Sequence, residues 1–134
     1  MSKFFVTLLF MCFCHIIDDF FLQRILADMK QKTWWEKNAP DEMYKNDYKC
    51  ALIVHSFSWA FSIMLPILIM NWAAIMASNM LMLAFLCIFS ANVLLHALTD
   101  NAKANLKIIS LCYDQGFHLV QILLTLSFFE IILC

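Results

Sequence analysis

The sequence has few charged residues, one glycine and two prolines. Charged residues make up 14% of its 134 residues, whereas hydrophobic residues make up 63%. Soluble globular domains carry about 25% charged residues and roughly half apolar residues, so the composition excludes an ordinary soluble domain. It indicates a membrane protein instead.

The sequence also lacks a basic stripe and a disulfide framework. Its formal net charge is −1, which argues against a nucleic-acid partner. A metal bound by the C-x-C motif is disfavoured, because Cys12 and Cys14 would point to different faces of a helix. The six cysteines lie mostly within apolar runs, and we expect them to be core residues: Cys12, Cys14, Cys50, Cys87, Cys112 and Cys134.

Four apolar segments are long enough to cross a bilayer, which takes about 20 helical residues. They cover approximately residues 4–27, 51–70, 73–99 and 106–133, with a tight turn expected at Asn71-Trp72. The first segment has no clear small-residue cleavage site, so we expect a membrane helix there rather than a signal peptide. The sequence therefore predicts an all-α integral membrane four-helix bundle, forming one domain whose chemistry must use inward-facing side chains and connections.

A polar stretch of mixed charge, residues 27–50, connects the first two spans. Its Trp34, Trp35, Tyr44 and Tyr48 are residue types found at the headgroup level, so we predict an interfacial loop or helix with solvated charges.

Basic residues predict the orientation of the bundle. All but Lys3 lie in or beside the connections between spans one and two and between spans three and four. The positive-inside rule then places both connections in the cytoplasm and both termini outside, with the chain in the inner (cytoplasmic) membrane. The residues in question are Arg24, Lys30, Lys32, Lys37, Lys45, Lys49, Lys103 and Lys107.

Three histidines have an aspartate four residues away, which places each pair on one helix face. These pairs are His15 with Asp19, His96 with Asp100, and His118 with Asp114, while His55 stands alone in the second span. Counted at about 1.5 Å per residue, all seven fall in the inner half of the membrane. Because ionisable side chains are costly inside a bilayer, this common layer indicates a functional site.

Imidazole and carboxylate groups are ligands for Zn, Mn or Fe, and an i, i+4 pair can supply two ligands to one ion. We predict one or two ions, held by ligands from the set His15, Asp19, His55, His96, Asp100, Asp114 and His118. Lys103 is the expected electrophile and Asp19 a ligand or general base, with Gln23 and Gln115 supporting them as further catalytic residues. Asp18 either borders the site or pairs with a basic residue, since it lies about 100° around the helix from Asp19.

Three functions are compatible with a layer of histidines and aspartates inside a membrane bundle. The first is metal-dependent hydrolysis of a phosphoester or headgroup on a membrane lipid, which would be the substrate. The second is a proton-coupled carrier or channel in which the same residues titrate in sequence. The third is a structural membrane partner protein whose polar layer fixes helix packing. A homodimer is a further expectation, although no small-xxx-small motif marks an interface.

The polar residues also resemble a known pattern. H-x-x-x-D-F-x-L-Q, a lone histidine, H-x-x-x-D-x-x-K and D-Q-x-x-H are typical of a family of small bacterial and phage membrane proteins catalogued as a domain of unknown function. The matching residues cover nearly the whole chain: His15, Asp19, Phe20, Leu22, Gln23, His55, His96, Asp100, Lys103, Asp114, Gln115 and His118. The resemblance implies a multi-pass membrane protein and favours Asp19 over Asp18, but it implies no activity.

Overall fold

The computed structural model describes residues 2–133, and every regular element within that range is a helix. The elements are α1 (Lys3–Ile17), a π-helical turn (Asp18–Leu22), α2 (Ile25–Met29), α3 (Lys32–Asn38), a 3₁₀ turn (Glu42–Tyr44), α4 (Asp47–Ala77), α5 (Asn79–Ala104) and α6 (Leu111–Leu133).

The long helices form a four-helix bundle, as the apolar segments predict. α4 packs against α1 and α5, and α6 packs against α5 and α1. Four segments are long and apolar enough to cross a membrane: Lys3–Leu22, Glu42–Ala77, Asn79–Ala104 and Leu111–Leu133. Large apolar side chains such as Phe10, Phe61 and Leu98 are exposed on the outside of the bundle, where acyl chains would cover them.

The first helix ends earlier than predicted. A span continuing to residue 27 is wrong, because α1 passes into the wider π-helical turn at Asp18 and the helix stops at Gln23. Arg24 then adopts φ 42°, a left-handed value that redirects the chain into the short helix α2. The break folds the following residues back over the end of the bundle.

The predicted tight turn at Asn71-Trp72 is wrong as well. Asn71 is a kink within α4 (φ −126°, ψ 16°), and the helix continues to Ala77 before Ser78 caps α5 by accepting a hydrogen bond from the Leu81 amide. The Asn71 side chain stabilises the kink, since its amide donates to the Ile67 carbonyl and its oxygen accepts from Lys3 Nζ at 2.7 Å.

The fourth span begins at Leu111 rather than at residue 106. The preceding residues form a connection in which the Leu106 amide bonds to the Asn101 carbonyl and the Ile108 amide bonds to the Ala102 carbonyl. Lys107 takes φ 56° between them, so the chain leaves α5 through a left-handed residue.

The cysteines are less buried than predicted. Cys50, Cys87 and Cys112 are exposed on the bundle surface, and Cys12 and Cys14 are partly buried. A thiol is apolar enough to face lipid, so apolar sequence neighbours do not distinguish core from outer surface in a membrane helix. Cys134 lies outside the described residues.

The interior of the bundle is mainly apolar at one end and polar at the other. Towards the α4–α5 turn the core is apolar, with Met11, Ile63, Ile67, Leu126 and Phe129 fully buried. The opposite end, where the α1–α4 and α5–α6 connections lie, contains the buried histidines and aspartates. We call it the connection end. Asn105 joins the two connections there by accepting from the Lys32 amide and donating to the Lys30 carbonyl.

Candidate metal centre

All seven predicted ligands lie in one layer at the connection end. Asp19 comes from the π-helical turn, and its side chain is 5% exposed. The others are fully buried and come from all four long helices: His15 from α1, His55 from α4, His96 and Asp100 from α5, and Asp114 and His118 from α6. The two members of each His/Asp pair lie on the same helix face because they are four residues apart.

Two groups within this layer could hold a metal ion. The first consists of Asp19, His55 and His96, and the second of His96, Asp100 and His118. In the first, His55 Nε2 lies 2.9 Å from His96 Nε2 and 3.5 Å from Asp19 Oδ1. In the second, Asp100 places Oδ1 3.5 Å from His118 Nε2 and Oδ2 3.8 Å from His96 Nε2. His96 belongs to both groups.

Two of these four separations, both 3.5 Å, fit the ligands of a metal ion, while the 2.9 Å and 3.8 Å separations lie just outside the range. Two ligands bound at about 2.0–2.2 Å in tetrahedral geometry lie about 3.3–3.6 Å apart. The donor set of imidazole nitrogen and carboxylate oxygen suits Zn, Mn or Fe. The chemistry and the spacing of the residues are therefore both compatible with a bound ion.

Unpartnered polar atoms point to the same layer. Within residues 2–133, four buried side-chain atoms lack a hydrogen-bond partner: His96 Nδ1, Asp114 Oδ1, and both ring nitrogens of His118. Leaving a buried polar atom unpaired costs about 1–3 kcal/mol. A cation ligated by His118 would remove part of that cost.

His15 is not brought into either group, because both of its ring nitrogens are hydrogen-bonded. The indole Nε1 of Trp59 donates to His15 Nδ1 at 2.8 Å, and His15 Nε2 lies 3.1 Å from Gln115 Oε1. An indole N–H can only donate, so His15 carries its proton on Nε2 and donates to Gln115. Trp59 also stacks on His96, with ring centroids 4.1 Å apart. It therefore orients two histidines.

The predicted glutamines hold the carboxylates in place. Gln115 Nε2 donates to Asp19 Oδ2 at 2.8 Å and to Asp114 Oδ2 at 3.1 Å, while Gln23 donates to Asp19 Oδ1. These bonds orient Asp19 towards His55 in the manner expected of residues that support metal ligands.

Asp114 also lies outside both groups. Its Oδ2 accepts from Lys103 Nζ at 2.7 Å, and its Oδ1 is 3.4 Å from His118 Nε2. Asp114 thus links the predicted electrophile Lys103 to the candidate ligand His118.

Lys30 is a site residue that the sequence did not reveal. It was expected on a solvated loop, but it is 8% exposed, and its Nζ lies 2.5 Å from Asp100 Oδ2 and 3.0 Å from Gln23 Oε1. The break at Arg24 folds the segment back and inserts this ammonium beside the layer. Asp100 Oδ2 therefore contacts both Lys30 and His55, whose Nε2 lies 3.2 Å away, while Oδ1 faces His118.

Asp18 is buried and faces a different part of the bundle from Asp19. Its Oδ1 accepts hydrogen bonds from Ser58 Oγ at 2.7 Å and Ser62 Oγ at 3.0 Å, both on α4. Within residues 2–133, Asp18 belongs to neither candidate metal group and forms no ion pair with a basic residue. The π-helical turn lets two adjacent carboxylates enter the interior in different directions.

An open cleft of about 420 Å³ gives access to the layer at the connection end. Asp19 and Gln115 line its inner side, and Lys30, Lys103 and Lys107 supply positive charge. The histidines lie behind these residues, away from the lipid-facing surface. Of the residues in the two candidate groups, Asp19 lines the cleft, whereas His55, His96, Asp100 and His118 do not.

No protein-family model matches the chain, and no curated protein or solved structure matches it significantly.

Proposed function

We propose that this protein is a membrane-embedded, metal-dependent hydrolase that acts on a phosphoester or headgroup of a membrane lipid. The observation that carries the proposal is the convergence of ligating atoms from the π-helical turn and from α4, α5 and α6 on one buried layer beside an open cleft. A site of this kind combines a place for a cation with access for a polar headgroup.

The position of the cleft supports a lipid substrate. It opens at the same end as the α1–α4 connection, where Trp34, Trp35 and Tyr44 form an aromatic cluster. Aromatic residues of this kind are enriched at headgroup depth. The headgroup of a lipid in the surrounding bilayer would therefore be level with the cleft.

The chain's own residues have distinct parts in this proposal. Asp19, fixed by two glutamines, borders the cleft and is placed to orient or deprotonate water. Lys103 lines the same cleft and can turn from Asp114 towards developing negative charge on a substrate. Lys30 holds Asp100 in position. A bound Zn, Mn or Fe ion would supply Lewis-acid activation at the histidine groups.

A proton-coupled carrier is the second candidate, because the hydrogen-bonded histidines and aspartates form a titratable network. A carrier needs polar groups across the whole bilayer. Beyond the layer, Asn92, Gln121 and Thr125 form one more polar network, and an apolar core then separates it from Thr7 and Asn71 near the opposite end. This interruption favours a site over a pathway.

Membership in the family of small bacterial and phage membrane proteins, and a cytoplasmic location of the connection end, remain proposals. They rest on the polar pattern and on the basic residues of the connections.

A phosphatase assay in mixed micelles tests the proposed activity. We expect the Mn- or Zn-loaded protein to release phosphate from phosphatidic acid, and chelation to abolish the release. His118→Ala should lower the rate by about 100-fold or more, because it removes a candidate ligand. His15→Gln is the matched control and should retain much more activity, since His15 has no free ring nitrogen. Equal loss in both variants would count against the metal assignment.

A further inference from the structure

Three lysines converge on the cleft, and they differ in how they are partnered. Lys30 and Lys103 are tied to buried aspartates, at 2.5 Å from Asp100 and 2.7 Å from Asp114. Lys107 lines the same cleft, and none of the ion pairs among residues 2–133 includes it. Its ammonium is the one of the three without an anionic partner.

The backbone at Lys107 is unusual for a lysine. Its φ of 56° is a left-handed value, which few residues other than glycine adopt, and it lies two residues beyond Asn105, the C-cap of α5. A side chain with a Cβ is strained there. Strain at a cleft is a reason to look for a function of the side chain.

With the histidines neutral, as ligands of a cation are, the charged side chains in and around the cleft sum to zero. Asp19, Asp100 and Asp114 supply three negative charges, and the three lysines supply three positive charges. A divalent cation at the histidine groups would leave an excess of two positive charges. A phosphate monoester carries about −1.5 to −2 at pH 7, which matches that excess, whereas a diester carries a single negative charge.

We propose that the cleft is a binding site for a phosphate monoester, with Lys107 as its principal unpaired cation and Lys103 as its second. This inference rests on the proposed function, because it takes the divalent cation as part of the charge balance. It specifies the substrate as a terminal phosphate rather than a phosphodiester headgroup. The same chemistry is offered by phosphatidic acid and by a soluble phosphate ester.

The test is binding of inorganic phosphate to the detergent-purified chain, measured by isothermal titration calorimetry with and without Zn. We expect binding to the Zn-loaded protein and a dissociation constant raised about 10-fold or more in Lys107→Gly, because a charge-assisted hydrogen bond is lost. Glycine suits the left-handed backbone, so this variant should fold as well as the wild type. Lys37→Gln removes the same charge from an exposed position outside the cleft and should bind normally.

Metal content, measured on the same samples, tests the metal centre separately from the phosphate site. Stoichiometric metal without phosphate binding, or with binding unchanged in Lys107→Gly, would overturn the phosphate site and leave the metal centre intact. Phosphate binding that is equally strong with and without Zn, and still weakened in Lys107→Gly, would overturn the charge balance with the cation and the selection for a monoester that rests on it. Absence of both would overturn both.

Competition identifies the source of the phosphate group. Displacement of phosphate by short-chain phosphatidic acid, but not by phosphatidylcholine, would support a lipid monoester. Displacement by glycerol 3-phosphate alone would support a soluble monoester in the same site. Displacement by phosphatidylcholine as strongly as by phosphatidic acid would contradict selection for a terminal phosphate.

Discussion

Asp100→Asn is expected to lower the free energy of unfolding by about 3 kcal/mol when measured in the presence of a chelator. Asp100 is 1% exposed, and its carboxylate pairs with the buried ammonium of Lys30 at 2.5 Å. Removing the negative charge leaves Lys30 buried without a counter-ion, which generally costs about 3–5 kcal/mol. We expect the lower end because Lys30 also lines the cleft and can turn towards water.

Combining Lys30→Met with Asp100→Asn separates the contribution of the ion pair from the other effects of the Asp100 substitution. The double variant Lys30→Met/Asp100→Asn should recover much of the loss, because it leaves no buried ammonium without its counter-ion. Glu36→Gln breaks an exposed pair with Lys32 and should change stability little. If the double variant lost as much free energy of unfolding as the two single variants combined, Lys30 and Asp100 would have no coupling energy, and this account of the ion pair would be wrong.

Added metal is expected to stabilise the wild-type chain and not His96→Ala. An ion that binds only the folded state raises the free energy of unfolding by about 2.7 kcal/mol at 100 times its dissociation constant. His96 belongs to both candidate groups, so its removal should abolish the response to Zn or Mn. The measurement is thermal unfolding of metal-free protein in detergent, titrated with each ion.

His15→Gln is the control for that titration. His15 is 2% exposed, as a ligand would be, but its ring nitrogens are occupied by Trp59 and Gln115. This variant should start from a lower unfolding temperature and still rise when metal is added. A metal response that survives in His96→Ala, or that disappears only in His15→Gln, would contradict the assignment of the two groups.

The layer itself could be predicted from the sequence, because helical geometry is local. Histidines and aspartates four residues apart share a helix face wherever the helix is regular. The common depth of the pairs followed from the lengths of the spans. Which members touch was not predictable, since contacts between helices depend on rotations of each helix that hydropathy does not encode. His15 illustrates this, because its partner Trp59 is apolar enough to be counted as core.

The sequence predictions fail at positions where a helix is irregular. Lys30 could not be assigned to the site because the chain reverses at Arg24, which has no glycine or proline to mark it. Asn71 was expected in a turn, but its side chain caps a carbonyl within a kinked helix. Asp18 and Asp19 both enter the interior only because a π-helical turn replaces the α-helix there.

Elemental analysis of the detergent-purified protein tests the central claim most directly, and the adjacent aspartates provide a matched pair of variants. The account predicts one or two equivalents of Zn, Mn or Fe in the wild type after metal supplementation. It also predicts loss of metal in His96→Ala and depletion in Asp19→Asn, with wild-type content in Asp18→Asn, because Asp18 bonds to Ser58 and Ser62 instead. No stoichiometric metal in the folded wild-type protein, or equal depletion in both aspartate variants, would contradict it.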